Sequence, residues 1–214
     1  MDSQNFTQTI DWYDKHAQQC SLAWDDHFQP EQISTFVSML PNKGKVLDAG
    51  CGTGRYSCLL RDSGLEVVGI DISQGMLKVA QQKHKEIKFI HGNFLHIDYP
   101  DEFFDGIWAH SSLIHFEHIE DVQKTLLEFK RLLKTGGILH LLLTCQCGNQ
   151  RGAVVKNDLH PDGIFYRFFT KDEVHQLLDN LRYKILVLEE YDEAERYAEA
   201  IGNSRWIHAL AQEL

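Results

Sequence analysis

The stretch Val46-Leu47-Asp48-Ala49-Gly50-Cys51-Gly52-Thr53-Gly54 joins a short apolar run to three glycines at alternate positions. Its first residues are typical of the end of a buried parallel strand. Glycine allows a sharp turn and lets backbone N–H groups approach a ligand closely. Residues 55–60 have helical spacing, so the turn opens a helix whose N-terminal dipole favours a negatively charged group. The pattern predicts a nucleotide-cofactor site where the strand meets the helix.

A second apolar run, residues 65–70, ends in the carboxylate of Asp71, 21 positions after Gly50. In a doubly wound sheet the next strand ends beside the first, and an acid about 20 residues after the glycines binds the ribose hydroxyls. Helix capping is the alternative role for Asp71. A dinucleotide fingerprint would require its third glycine at the position of Arg55, so a nicotinamide cofactor fits poorly.

With an acid two residues before the first glycine, the string Asp48-x-Gly-x-Gly-x-Gly resembles motif I of the class I S-adenosylmethionine-dependent methyltransferases. Further segments resemble this family's N-terminal helix, ribose-acid segment, adenine-contacting turn, fourth strand and the turn before its fifth strand: 13–17, 71–77, 92–94, 104–108 and 133–137. Residues 162–170, with the pattern DGxFxxxFT, are similar to small bacterial methyltransferases of unassigned substrate.

Strand-like runs alternate with helical patterns until the last two runs, which is typical of a mostly parallel sheet with helices on both faces. The runs lie at 45–50, 65–71, 86–91, 103–110, 137–145, 183–190 and 205–211. We expect an α/β, Rossmann-like fold. The resemblance implies a seven-stranded sheet in the order 3-2-1-4-5-7-6, with strand seven antiparallel.

One domain is expected over 1–214. It divides into an N-terminal helical lid (1–42), a cofactor-binding core (43–145), and a substrate-side connection with the C-terminal strands (146–214). The connection between Thr144 and Lys171 is longer than an ordinary loop, and such loops often carry substrate contacts.

The composition limits the classes of partner. A formal net charge of −10 argues against an extended nucleic-acid interface, since Lys and Arg provide most of that affinity. The chain opens without a basic and apolar leader and has no apolar run of about 18 residues, so we expect a soluble cytoplasmic protein without membrane contact. The acidic run 189–195 is either a solvated face or a surface that attracts cations.

The cysteines favour reduced thiols. Their number is odd, at five, and they lack the spacing of zinc ligand pairs. Cys145 and Cys147 are a less favoured metal pair, so no metal is predicted.

The resemblance implies a set of cofactor contacts around the glycine turn. Asp48 takes the place of an acid near the cofactor's amino group, with capping of the turn as the alternative. Asn93 stands where the family more often has Asp; its side-chain oxygen can accept from an adenine amino group, while Phe94 offers a backbone N–H. The expected set is Tyr13, Asp48, Gly50, Cys51, Gly52, Gly54, Asp71, Ile72, Met76, Asn93, Phe94 and Ala109.

Two histidines are candidate catalytic residues. His110 lies where this architecture faces the reactive methyl group, and imidazole titrates near neutral pH, so it can take a proton from an attacking hydroxyl, thiol or amine. A neutral histidine bonded to backbone is the alternative. His115 resembles a histidine common in the family after the fourth strand, where packing of the turn is favoured over proton transfer.

Four residues are expected to contact substrate: Trp12, Arg151, Tyr166 and Arg167. Aromatic packing of the lid and ordinary surface arginines are the alternatives. Together these patterns favour an enzyme that binds S-adenosyl-L-methionine and transfers its methyl group to an O, N or S nucleophile of a small molecule, largely by aligning the reacting atoms. A cofactor-binding sensor or scaffold without turnover is the alternative, and a nicotinamide oxidoreductase is the third.

Overall fold

The computed structural model describes residues 3–24, 30–146, 148–156, 159–192 and 205–214. The helices within these residues are α1 (Gln4–Trp24), α2 (Pro30–Ser38), α3 (Arg55–Asp62), α4 (Gln74–Lys83), α5 (Ile119–Leu132) and α6 (Lys171–Asn180). The strands are β1 (Lys45–Ala49), β2 (Glu66–Asp71), β3 (Lys88–His91), β4 (Phe104–His110), β5 (Leu133–Thr144), β6 (Gly152–Val155), β7 (Ile164–Arg167), β8 (Lys184–Asp192) and β9 (Arg205–Gln212).

Seven of the strands form one sheet in the order β3-β2-β1-β4-β5-β9-β8. The first five strands pair in parallel, whereas β9 is antiparallel to both β5 and β8. Parallel neighbours need long crossovers, and the helices between the strands provide them. Counted within the sheet, the order is 3-2-1-4-5-7-6 with the seventh strand antiparallel, so the predicted fold class is confirmed.

The two faces of the central strands bury different helices, because side chains alternate along a strand. Leu47 of β1 packs in a core layer with α5 and α6, whereas Val46 packs in a second layer with α2 and α3. In the second layer Phe36 of α2 is fully buried and lies edge-on to Trp108 of β4, with ring centroids 5.2 Å apart. Within the region expected to form a lid, α2 therefore packs in the body of the domain, and the lid role stays a prediction for α1.

The carboxyl ends of β1 and β2 meet at one edge of the sheet, where Ala49 pairs with Ile70. The N–H groups of Gly50 and Cys51 both donate to the carbonyl of Ile70, at 2.8 and 3.0 Å. The glycine turn is thus attached to the end of the neighbouring strand. Ligands of open α/β sheets bind outside this edge.

The connection between Thr144 and Lys171 contains two strands that the sequence pattern did not predict. β6 and β7 pair as an antiparallel ribbon with Gly152 opposite Arg167, and β7 packs against α1. Each strand has only four residues, which is too short for a periodic hydrophobic signal.

In the part of the chain that the structure describes, no helix is both long and apolar enough to cross a membrane. The described cysteines Cys20, Cys51, Cys58 and Cys145 are free thiols. The same residues hold no group of three or more His, Cys, Asp or Glu side chains that could hold a metal ion. Cys147, Glu193 and Glu195 lie outside the described residues, so the roles considered for them stay predictions.

Phe36→Ala should lower the free energy of unfolding by about 3–5 kcal/mol, because loss of this buried ring leaves a cavity against Trp108. Urea denaturation followed by circular dichroism measures the loss. Met39→Ala, at a position 39% exposed just after α2, is the matched control and should change stability by less than about 0.5 kcal/mol. Equal effects of the two substitutions would contradict the packing of α2 on the sheet.

Candidate functional site

The glycine turn holds three residues with left-handed backbone: φ is 80° at Gly50, 54° at Gly52 and 85° at Gly54. A Cβ at Gly50 would lie 2.3 Å from the Cβ of Ser112, and a Cβ at Gly54 would lie 2.9 Å from the Phe89 ring. At Gly52 a Cβ would meet no atom of the described residues within 4 Å. Gly50 and Gly54 therefore allow close packing of the protein itself, whereas Gly52 borders open space that a ligand can enter.

The carboxylate of Asp71 lies at the end of β2 and is held by backbone donors. Its Oδ2 accepts the N–H of Gly52 and its Oδ1 accepts the N–H of Ser73, both at 2.8 Å. Burial raises the pKa of this carboxyl and the charge of Asp14 adds to the effect, while the backbone donors oppose it. The backbone N–H of Ile72 also interacts with the carboxylate, which has about four acceptor sites in all, so room remains for a further donor such as a ligand hydroxyl.

Asp48 lies in the interior beneath the turn. It is 2% exposed, and its Oδ2 accepts the hydroxyl of Ser57 on α3 at 2.5 Å. Burial raises the pKa of Asp48 to about 7, and the negative charge of Asp71 adds to the rise. This contact joins β1 to α3 and differs from the alternative foreseen for Asp48, which was capping of the glycine turn. The contact of Asp48 with a cofactor stays a prediction.

The turn after β3 reaches the glycine turn. The Phe94 ring is buried, and a Cβ at Gly50 would lie 3.4 Å from it. The side-chain oxygen of Asn93 accepts the N–H of Leu95 at 3.0 Å, which leaves one lone pair of that oxygen for another donor.

Four other residues of the predicted cofactor set are engaged within the protein. Cys51, Met76 and Ala109 have buried side chains. The carbonyl of Ile72 lies 2.9 Å from Nε2 of His91. Contacts of the three buried residues with a ligand would come chiefly from their backbone.

His110 ends β4 beside α3. Its Nε2 lies 3.0 Å from the hydroxyl of Tyr56, and its Nδ1 is buried with no hydrogen-bond partner among the described residues. Burial holds the pKa of His110 well below its usual range, with smaller contributions from Arg55 and His208. The imidazole is therefore neutral at physiological pH and has one nitrogen uncommitted.

His115 belongs to a different cluster. Its Nδ1 lies 2.9 Å from the carbonyl oxygen of Phe165. Because a carbonyl only accepts hydrogen bonds, Nδ1 carries the proton and donates it. Nε2 of the neutral ring is then the acceptor for the hydroxyl of Tyr13, at 3.1 Å. Burial lowers the pKa of His115 to about 4. The ring centroids of Tyr166 and His115 lie 5.3 Å apart. The hydroxyl of Tyr166 interacts with that of Tyr13. The structure thus brings together Tyr13, His115 and Tyr166.

The two predicted substrate arginines converge on one carboxylate. Arg151 and Arg167 pair with Glu173 at 3.2 and 3.0 Å, and Arg167 also donates to the carbonyl of Glu117. The fourth candidate, Trp12, is buried on α1 and stacks on His16 with centroids 4.3 Å apart. These contacts account for both arginines without a substrate, and their substrate contacts stay predictions.

Sequence reasoning missed three polar residues at this edge: Ser57, Ser73 and Asp14. Ser73 caps α4, since its hydroxyl oxygen accepts the N–H of Met76 at 3.1 Å. A serine before a helical pattern is a recognised capping signal, so Ser73 was accessible to sequence reasoning. Ser57 and Asp14 carried no such signal, because their partners lie on other elements.

A family model described as a methyltransferase domain matches residues 47–141. Among curated proteins, the demethylmenaquinone methyltransferase of a Geobacillus species is 38% identical over 122 residues, which cover 52% of this chain and 50% of that protein. The chain spans about half the length of the curated relatives it matches.

Solved structures share the fold. A SAM-dependent methyltransferase from Methanosarcina mazei aligns with a TM-score of 0.74 at 20% identity, covering 83% of this chain and 95% of that one. The Burkholderia thailandensis 1,6-didemethyltoxoflavin-N1-methyltransferase, solved with 1,6-didemethyltoxoflavin and S-adenosylhomocysteine, aligns with a TM-score of 0.74 at 19% identity, covering 100% and 91%. At these identities the likeness establishes the architecture alone.

Asp48→Asn should change the pH dependence of stability. Because the folded pKa of about 7 exceeds the usual 3.8, the native state binds more protons than the unfolded chain between these values, and stability falls as pH rises through them. The amide cannot ionise but keeps an acceptor for Ser57. The free energy of unfolding of Asp48→Asn, relative to that of the wild type, should therefore rise with pH between these two pKa values, by up to about 1.4 kcal/mol per pH unit.

Urea denaturation from pH 4 to pH 8 measures this difference. Asp98→Asn, at an exposed carboxylate, is the control and should run parallel to the wild type. Parallel curves for Asp48→Asn as well would show that Asp48 is not held in its neutral form.

Proposed function

We propose that the chain is a class I S-adenosylmethionine-dependent methyltransferase, which transfers the methyl group of S-adenosyl-L-methionine to an O, N or S nucleophile on a small molecule. One observation carries the proposal: the carboxylate of Asp71 is oriented by the N–H of Gly52, at the point where Gly52 borders open space. A hydroxyl-bearing ligand and a close backbone approach are both accommodated there.

The residues at this edge fit the cofactor. Asp71 would receive the ribose hydroxyls, the backbone of residues 50–54 would lie against the cofactor, and Asn93 with Phe94 would hold the adenine. When bound, S-adenosyl-L-methionine supplies an electrophilic methyl group on a sulfonium, which is a good leaving group.

His110 is the proposed proton acceptor. Its pKa lies well below the usual range, so the imidazole is neutral and able to take a proton at neutral pH. The hydroxyl of Tyr56 occupies Nε2, which leaves Nδ1 as the uncommitted nitrogen. A lowered pKa also makes a weaker base, so alignment of the reacting atoms would contribute the larger share, up to about 7–11 kcal/mol in favourable cases.

α1 would exclude water from the reaction. Tyr13 is anchored on His115, and Trp12 is buried beside it on the same helix. Closing an active site strengthens every electrostatic interaction inside it and prevents competing hydrolysis.

A small-molecule acceptor and a cytoplasmic location are parts of the same proposal. They are supported by the net charge of −10, which disfavours nucleic acid, and by the free thiols of the described cysteines.

Gly52→Ala should abolish or strongly weaken binding of S-adenosylhomocysteine, because the new methyl group enters the open space that the ligand would occupy. Isothermal titration calorimetry measures the dissociation constant. Gly64→Ala is the matched control: its φ of 92° imposes the same kind of strain, and its Cβ also meets no described atom within 4 Å. Gly64 lies between α3 and β2, at the amino end of that strand, and its variant should bind like the wild type. If Gly52→Ala folds and binds S-adenosylhomocysteine normally, the glycine turn is not the site at which the cofactor binds.

His110→Ala should keep cofactor affinity and reduce methyl transfer by about 10²–10⁴-fold, the usual contribution of a general base. Methyl-labelled cofactor incubated with a metabolite extract identifies an acceptor, and single-turnover kinetics with that acceptor then compares the variants. An unchanged rate in His110→Ala would exclude proton transfer by this residue. Persistent cofactor binding by the wild type without labelled product across many extracts would support the sensor or scaffold alternative.

A further inference from the structure

α1 is attached to the start of α4 through one carboxylate, Asp14. Its Oδ1 accepts the hydroxyl of Ser73 at 2.6 Å and the backbone N–H of Gly75 at 2.8 Å. Both donors belong to the turn that follows Asp71, and bonds to a charged acceptor are stronger than neutral ones. The side chain of Asp14 is thus committed to the segment that carries the proposed ribose acid.

The backbones meet closely at the same point. A Cβ at Gly75 would lie 2.3 Å from the carbonyl oxygen of Asp14 and 2.6 Å from its Cα. Gly75 is in the first turn of α4, where alanine would otherwise favour the helix by about 1 kcal/mol. The close approach of α1 therefore explains why this position is a glycine, and the conformation of α4 does not.

Ser73 connects the two carboxylates. Its N–H donates to Oδ1 of Asp71, and its hydroxyl donates to Asp14 while accepting the N–H of Met76 as the cap of α4. Ser73 is 2% exposed, so its own donor and acceptor groups are shielded from bulk water. A shift of α1 that withdraws Asp14 frees the Ser73 hydroxyl and loosens the backbone that orients Asp71.

We propose that Asp14 is a positioning residue for cofactor binding: its carboxylate latches α1 onto the Ser73–Gly75 turn, so that closure of α1 and orientation of Asp71 are one event. The inference rests on the proposed function, because it requires the ribose of the cofactor to bind Asp71.

The negative charges of Asp14 and Asp71 make the closure of α1 depend on ligand binding. Asp14 and Asp71 are both acidic and share Ser73, so their repulsion opposes the closed arrangement and contributes to the raised pKa of Asp71. Hydroxyl donors from a ribose stabilise the charge of Asp71 and so reduce the cost of bringing Asp14 close. Binding thereby favours the latched state.

Other contacts keep α1 attached when the latch is removed. Lys83 donates to Ser21 at 2.9 Å, and Tyr13 bonds His115 at 3.1 Å, on either side of Asp14 along the helix. Loss of Asp14 alone should therefore open the ribose end of the site without unfolding the domain.

The test is the binding kinetics of S-adenosylhomocysteine, followed by stopped-flow tryptophan fluorescence. Asp14→Ala should raise the dissociation rate roughly tenfold or more, as expected for lost bonds to a charged group, while the association rate stays equal or increases. Asp11→Ala, an exposed acid on the same helix, is the control with the same charge change and should keep both rates. If Asp14 only stabilises the fold, Asp14→Ala should lower the melting temperature without raising the dissociation rate selectively.

Gly75→Ala tests the latch from the opposite side without changing charge. Its methyl group should displace α1 and raise the dissociation rate as Asp14→Ala does, whereas Gln74→Ala, at the exposed neighbouring position, should not. Hydrogen–deuterium exchange should show ligand-induced protection of residues 4–24 in the wild type and its loss in both latch variants. If Asp14→Ala does not fold, Asp14→Asn and Gly75→Ala provide the same comparison.

A double variant measures the coupling between Asp14 and Asp71. The effects of Asp14→Ala and Asp71→Asn on the dissociation constant should combine to less than the product of their separate fold-changes. Wild-type rates in both Asp14→Ala and Gly75→Ala, in a protein that binds the ligand, would overturn the latch and leave the proposed function standing. Absence of ligand binding by the wild type would overturn the proposed function and the latch with it.

Discussion

The site depends on the two backbone N–H bonds that hold the carboxylate of Asp71, one from Gly52 and one from Ser73. They join the end of β2 to the glycine turn on one side and to the start of α4 on the other. A buried carboxylate without such donors would be costly, so the bonds are needed for the fold as well as for a ligand. Because both donors are backbone groups, the orientation of the carboxylate follows from the conformation of two turns and tolerates little movement in either.

Acidic groups are concentrated at this edge, and their surroundings give them different states. Asp48 is enclosed under α3, where Ser57 is its hydrogen-bond donor, and burial raises its pKa to about 7. Asp71 has more donors and is half-buried beside Gly52, while Asp14 lies on the exposed side of α1. Exposure therefore increases from Asp48 in the interior through Asp71 to Asp14 on the surface. A ligand with hydroxyl donors and a positive centre is complementary to such an arrangement.

The two candidate histidines illustrate how similar sequence positions acquire different chemistry. Both are neutral because burial lowers their pKa values. His115 has both nitrogens engaged, one by the Phe165 carbonyl and the other by Tyr13, which suits a fixed support for α1. His110 keeps Nδ1 uncommitted among the described residues, which suits exchange of a proton with a bound molecule. The difference follows from their positions: His110 ends β4 beside α3, whereas His115 lies in the 3-10 turn Leu113–His115, next to α1 and β7.

The glycine turn and the acid at the end of β2 were predictable from the sequence, because apolar periodicity and glycine spacing are local properties of the chain, whereas the sheet order was implied by the resemblance to the methyltransferase family. Tertiary structure alone decided which of the glycines borders open space, since Gly50 is restricted by Ser112, 62 positions away. It also paired Asp14 with Ser73, and it placed two expected substrate arginines on Glu173. Such contacts join residues distant in sequence, and no local pattern encodes which side chains the packing of helices on a sheet will bring within hydrogen-bond distance.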